Sequence, residues 1–249
     1  MTYPKLNPVT KAICAIRSLL FYITYVPCMA FFSSCGFTIG QLVPYKTRHD
    51  IVSLGASSTN FWLWLWCGVR IKVIGKENIP EGPMVILAKH QSTWETYHLQ
   101  RLFRPVSTIL KKELLDIPVF GWGLNKLHPI GIDRSNPRAA MKQIMTQGKE
   151  RLAEGNNVVI YPEGTRVDPG TKGKYARSGA ALAIEAGVPI VPLAHNAGLH
   201  WPGRRFLKFP GTITVVIGEP INTTDGNSKV LTEQVEQWIE AQQAEIDQR

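Results

Sequence analysis

Residues 18–45 contain no charged side chain. About 20 apolar residues in a helix cross a bilayer, so a run of this length constrains the N-terminal part of the chain before anything else is read. Its heart is SLLFYITYVPCMAFFSSCGFTIGQL, interrupted by Pro27, Gly36 and Gly40. Lys5, Lys11 and Arg17 precede it, and Lys46 and Arg48 follow. A single span would leave basic charge on both sides, against the positive-inside rule. The expectation is therefore a membrane-embedded helical hairpin with both ends on one side and its tip at Pro27 or at 33–36. A cleaved signal peptide fits less well, because the apolar run is too long for its central region. A second uncharged stretch, 51–69, ends in NFWLWLWCGV. At helical spacing Trp62 and Trp66 share a face that Trp64 does not, which suits an interfacial helix; an ordinary buried helix fits equally well.

The remaining 180 or so residues suffice for one large domain, giving an expected division into 1–68, membrane-associating helices, and 69–249, a catalytic or binding body. All four cysteines, Cys14, Cys28, Cys35 and Cys67, precede that body. None has metal-site or redox spacing, so they read as small hydrophobes, and no thiol nucleophile or metal centre is expected. The formal net charge of +9 calls for an anionic partner: nucleic acid, anionic lipid or a phosphorylated substrate. Trp and Phe concentrate in the N-terminal stretches and do not alternate with Lys and Arg, which argues against nucleic acid.

In the body, apolar runs at 69–75, 84–90, 105–110, 128–134, 156–161, 188–195 and 211–221 read as strands. Helical patterns separate most of them: roughly 94–103, 137–155 with Pro137 in its first turn, the small-residue segment SGAALAIEAG, and a polar C-terminal helix. This alternation predicts an α/β fold with a mixed, largely parallel sheet flanked by helices. Ligands of such sheets bind beyond the carboxyl ends of the strands, where His90, Asp133–Arg134 and Glu163–Arg166 fall.

Each of these places has two readings. In HQSTWE, residues 90–95, the His and Glu lie five apart. On one helix they would diverge by about 140°, so they meet only if His90 ends a strand and Glu95 begins a helix. A carboxylate on an imidazole then makes a general base. The same residues spell S-x-x-E, a capping box in which Glu95 only closes a helix start. In YPEGTR, 161–166, Gly164 permits a tight turn and Arg166 offers a fork suited to phosphate; a solvated basic loop is the plainer alternative. In GIDRSN, Arg134 is a further anion contact, or else Ser135 or Asn136 caps a helix. In VPIVPL, Val188, Pro189, Ile190 and Pro192 line an acyl groove or belong to a core strand. His195 and His200 receive no role.

Taken together and in this order, HQSTWE, GIDR, YPEGTR and VPIVPL resemble the signature blocks of the glycerolipid acyltransferase family, from about 69 to 221. The His motif and the EGTR block, about 70 residues apart, carry most of the resemblance. The chain departs from it in having Glu95 where the His-x4-Asp motif has Asp. The resemblance implies transfer of a fatty acyl group from an acyl thioester, acyl-CoA or acyl-ACP, to the hydroxyl of lysophosphatidic acid, giving phosphatidic acid. By the same token His90 is the base and Glu95 its orienting carboxylate. Arg166, with Gly164 and Thr165 beside it and Arg134 opposite, holds the acceptor phosphate, and Glu163, grouped with them, positions the loop. No metal or cofactor is implied. The implied partners are membrane lipids, lysophosphatidic acid and the carrier protein or coenzyme A thioester. The implied location is the cytoplasmic face of a bacterial inner membrane, monotopic or re-entrant. The alternatives are an acyltransferase for another lysolipid, such as a lyso-ornithine lipid, and a non-catalytic basic membrane-surface protein.

Overall fold

The structure, a computed structural model, describes residues 7–133 and 135–247. Two long helices come first: α1, Pro8–Phe37, and α2, Tyr45–Cys67. They form an antiparallel hairpin, but not the one expected from the sequence. α1 runs unbroken through both Pro27 and 33–36, and the chain reverses at 38–44, through a 3-10 turn at Ile39–Leu42. The second uncharged stretch is the return arm. Proline removes one backbone N–H, which a helix held by packing tolerates. That packing is close. A Cβ on Gly36 would fall 2.2 Å from a Val52 methyl, and one on Gly55 would meet the Met29 sulfur at 3.1 Å. Trp66 Nε1 donates to Thr24 Oγ1 at 3.1 Å, and Trp62 and Trp66 are partly buried while Trp64 is 50 % exposed.

α1 turns a second face outward. Val9, Ile13, Ile16, Leu19, Ile23 and Val26 are each at least 50 % exposed and follow at three- or four-residue intervals. By length and hydropathy this helix could cross a membrane.

The body is a seven-stranded sheet: β1 Val69–Ile74, β2 Val85–Ala88, β3 Val106–Lys111, β4 Ile130–Ile132, β5 Asn157–Ile160, β6 Ile190–His195 and β7 Gly211–Ile217, in the order β1-β7-β6-β2-β5-β3-β4. Every pairing is parallel except β6 with β7. The helices are α3 Trp94–Leu102, α4 Phe120–Asn125, α5 Pro137–Ala153, α6 Ser178–Ala186, α7 Ala197–His200 and α8 Ser228–Ile246. Helices α5, α6 and α8 cover one face of the sheet; the hairpin and α3 cover the other.

A parallel strand with both faces covered must be apolar on both, and β2 is. Val85 and Leu87 enter the core under α6 and α8, and Ile86 and Ala88 enter the core under α1 and α3. The period of two continues past the strand end, so Lys89 and His90 leave on opposite faces. The hairpin docks on the body where α1 crosses α4: a Cβ on Gly123 would lie 2.6 Å from the Ser33 carbonyl oxygen. That contact is backbone and cannot swing aside. Gly123→Ala should therefore cost about 1–3 kcal/mol of unfolding free energy, since overpacking forces backbone shifts. Chemical denaturation of the variant would measure it, and a midpoint equal to that of the unaltered protein would remove Gly123 from the docking contact.

Candidate active site

Two loops meet beyond the carboxyl ends of β2 and β5. The first carries His90 out of β2 and into α3, the strand–loop–helix arrangement that lets residues 90 and 95 touch. His90 Nδ1 lies 2.8 Å from Glu95 Oε1. The same oxygen accepts the backbone N–H of Gln91 at 2.9 Å and of Ser92 at 2.8 Å. Ser92 Oγ in turn accepts the Trp94 N–H at 3.0 Å. The two readings of HQSTWE thus coincide in one atom, which closes the start of α3 and also holds the imidazole.

Glu95 has no exposed surface. Burial raises its carboxyl, but the neighbouring His195 and His90 rings and the Ser92 N–H more than offset this and hold it below its ordinary value. An ionised carboxylate only accepts, so Nδ1 of His90 carries the ring proton and Nε2 is left as the acceptor. The Tyr161 ring stacks on the imidazole, centroids 4.1 Å apart and planes at 17°. His195, given no role from sequence, lies beneath: its Nε2 is 2.9 Å from the Lys89 carbonyl oxygen and 4.0 Å from Glu95 Oε2. Burial outweighs the nearby Glu95 carboxylate and lowers the His195 pKa.

The second loop, 161–167, turns at Gly164, whose φ of +67° is left-handed backbone that glycine adopts without strain. It grips the first loop through the His90 backbone. The His90 N–H donates to Glu163 Oε2 at 3.1 Å, and the Val167 N–H donates to the His90 carbonyl at 2.9 Å. Arg166 comes to rest beside His90, with Nη1 3.3 Å from the Gly203 carbonyl and Nε buried without a hydrogen-bond partner among the described residues.

A cavity of about 440 Å³ opens between these loops and the hairpin. That is the size of a small-molecule pocket. His90, Tyr161, Thr165, Arg166, Arg204 and Lys111 are among its lining residues, which gives it a cationic part. Met29 of α1, Val52 and Ala56 of α2, Leu114, and Phe120 and Leu124 of α4 give it an apolar part.

A model of the acyltransferase family matches residues 70–196. A 1-acyl-sn-glycerol-3-phosphate acyltransferase of Pseudomonas aeruginosa is 44 % identical over 236 residues, covering 93 % of this chain and 92 % of that protein. The chain belongs to the acyltransferase family. A Saccharomyces cerevisiae protein of the same description is 27 % identical over 217 residues, covering 84 % of this chain and 71 % of that one. The solved structure of an LPA acyltransferase from Thermotoga maritima shares the fold, with a TM-score of 0.80, 23 % identity, and coverage of 96 % of this chain and 98 % of that one.

Against the sequence expectations, His90, Thr165 and Arg166 line this same cavity, and Glu95 sits directly behind His90. Arg134 lies outside the described residues. Next to it, Asn136 caps α5, accepting the Ala139 N–H at 3.0 Å. Glu163 does not line the cavity: its side chain is fully buried and bonded to Lys89. Val188, Pro189, Ile190 and Pro192, expected as groove residues, lie elsewhere, and Pro192 lines a separate pocket beside α8. None of them lines the cavity. β6 is an interior strand, and Ile190 is in the core on the α8 side. The apolar wall comes instead from the hairpin, β3 and α4, segments with no shared motif. Arg204, in WPGRRF, and Lys111 also line the cavity, and nothing in the sequence singles them out, since each is only one member of a basic doublet.

The depressed Glu95 carboxyl has a consequence for stability. A group whose pKa is lower in the folded chain stabilises it above the unfolded value, about 4.5, and loses that contribution as pH falls through the folded value. Glu95→Gln keeps an acceptor for the helix start but has no such titration. The gap in unfolding free energy between the two proteins should be largest near neutrality and shrink as the pH is lowered below about 4.5. A gap that stays constant with pH would mean that the carboxyl is unshifted.

Proposed function

We propose that this chain transfers a fatty acyl group from an acyl thioester to the free hydroxyl of lysophosphatidic acid, giving phosphatidic acid. The observation that carries the reading is the position of His90. Its ring is oriented by a buried carboxylate and sits where one cavity passes from cations to apolar walls. That is the arrangement a substrate with a phosphate at one end and a fatty chain nearby requires.

In this reading Nε2 of His90 takes the acceptor's hydroxyl proton as the oxygen attacks the thioester carbonyl. The carbon–sulfur bond breaks, and the imidazolium returns the proton to the departing thiolate. Glu95 fixes the Nδ1–H tautomer and stabilises the imidazolium between these steps. Arg166, with Arg204 and Lys111, holds the acceptor's phosphate, and Gly164 and Thr165 shape the loop that presents Arg166. The apolar part of the cavity seats the acyl chain. The reaction needs no metal, cofactor or covalent enzyme intermediate. Acyl-ACP and acyl-CoA both supply the thioester.

Residues 1–68 serve as the anchor and 69–249 as the catalytic body. The outward apolar stripe of α1 suits insertion into the membrane that holds both lipid substrate and product, and the chain's positive charge suits an anionic cytoplasmic surface of a bacterial inner membrane.

The decisive experiment offers a labelled acyl thioester and lysophosphatidic acid to membranes containing the protein. Phosphatidic acid should form with the unaltered chain and not with His90→Ala at equal protein level. Product from both would remove His90 as the base. Product from neither, with other lysolipids acylated instead, would change the acceptor. Arg166→Lys keeps the charge but loses the planar fork. It should raise the apparent KM for the phosphorylated acceptor on the order of tenfold, with a smaller change in kcat. An unaltered KM would take Arg166 out of the phosphate site.

A further inference from the structure

The side chain of Lys89 is wholly buried, yet no step above uses it. Leaving β2 on the face opposite His90, it runs towards α8. Its ammonium has three donors and spends all of them: on Glu163 Oε1 at 2.9 Å, Glu240 Oε1 at 2.7 Å and the Thr171 carbonyl at 3.1 Å. Glu240 belongs to α8 and also accepts the Tyr175 hydroxyl at 2.9 Å. Glu163 Oε1 accepts the Gly173 N–H at 3.0 Å as well, while its other oxygen holds the His90 N–H. One turn of α8 earlier, Glu236 pairs with Lys172.

We infer that Lys89, held from α8 by Glu240, is a positioning residue for His90 and Arg166, which makes the C-terminal helix a working part of the active site. The inference rests on the acyltransfer reading. Glu163 is the shared member: it fixes the His90 backbone with one oxygen and stands three residues before Arg166. A carboxylate so deeply buried keeps its place only while a cation faces it. Lys89 is that cation, and Glu240 is the second carboxylate that draws the ammonium to the α8 side. Without Glu240 the ammonium keeps only Glu163 and the Thr171 carbonyl and is no longer held from α8, so the Lys89–Glu163 pair shifts and the base and the phosphate fork lose their common register. Misplacing a reacting group by about 1 Å is enough to slow a reaction on the order of a hundredfold.

The test uses the full chain in lipid vesicles with four variants: Glu240→Ala, Glu240→Gln, Lys89→Met and the double variant Lys89→Met/Glu240→Ala. The Glu240 side chain is 24 % exposed, so its loss is tolerable to the fold. Glu240→Ala should lower kcat on the order of tenfold or more and raise KM for the acceptor, while KM for the acyl thioester stays the same. Glu240→Gln, still an acceptor for Lys89, should recover most of the loss. In kcat and acceptor KM the double variant should be no worse than Lys89→Met alone, because Glu240 reaches His90 and Arg166 through Lys89. Where Lys89→Met fails to fold, the two Glu240 variants decide. A Glu240→Ala protein with a lowered Tm but unchanged kcat and KM below it would overturn the inference, as would additive losses in the double variant. Either result leaves the acyltransfer reading standing if His90→Ala is still inactive. An unaltered protein with no activity on any lysolipid would overturn that reading and the inference with it.

Discussion

One carboxylate oxygen decides the local architecture of the site. Glu95 Oε1 accepts from Gln91, Ser92 and His90 at 2.8–2.9 Å. Two of these donors are backbone groups that the start of α3 would otherwise leave unsatisfied; the third is the imidazole. The stabilisation that starts the helix therefore also sets the ring's tautomer and direction. This also explains why glutamate can stand where the family motif has aspartate. S-x-x-E is the pattern whose side chain reaches back three residues to the backbone, and the extra methylene gives that reach without removing the carboxylate from the ring.

The two halves of the site are joined through backbone more than through side chains. His90 gives its N–H to Glu163 and its carbonyl to Val167, on either side of Arg166. A shift of the 161–167 loop must therefore move His90 as well. In a parallel sheet the loops beyond neighbouring strands point the same way, and β2 and β5 are hydrogen-bonded neighbours. Residues 73 positions apart, His90 and Glu163, are brought into contact by that pairing.

How far the sequence disclosed this follows from the range of the interactions involved. Strand ends, the Asn136 cap and the 90–95 pairing are local, and period or spacing carries them. Lys89 was legible in principle, since the alternation through 85–88 already puts residue 89 on the far face, but its partners come from three separate segments. The sequence puts the hairpin's tip at Pro27 or 33–36 because proline and glycine break an isolated helix, whereas packing against α2 holds α1 helical through both. The VPIVPL segment looks like a groove only until β6 is known to be an interior strand; its apolar residues belong to the core.

The cavity walls bear on where the catalytic unit ends. Met29 comes from α1, Val52 and Ala56 from α2, and Phe120 and Leu124 from α4, while His90 follows β2. An anchor that only tethered the body could be cut away without touching the pocket. This hairpin could not, because removing it would open the apolar half of the cavity to water and strip α4 of the surface it packs on at Ser33. Water admitted there would wet the apolar walls, and the charges around His90 would be screened by a higher local dielectric. The hairpin that carries an exposed apolar stripe on one side is thus a wall of the candidate cavity on the other, one helix pair away.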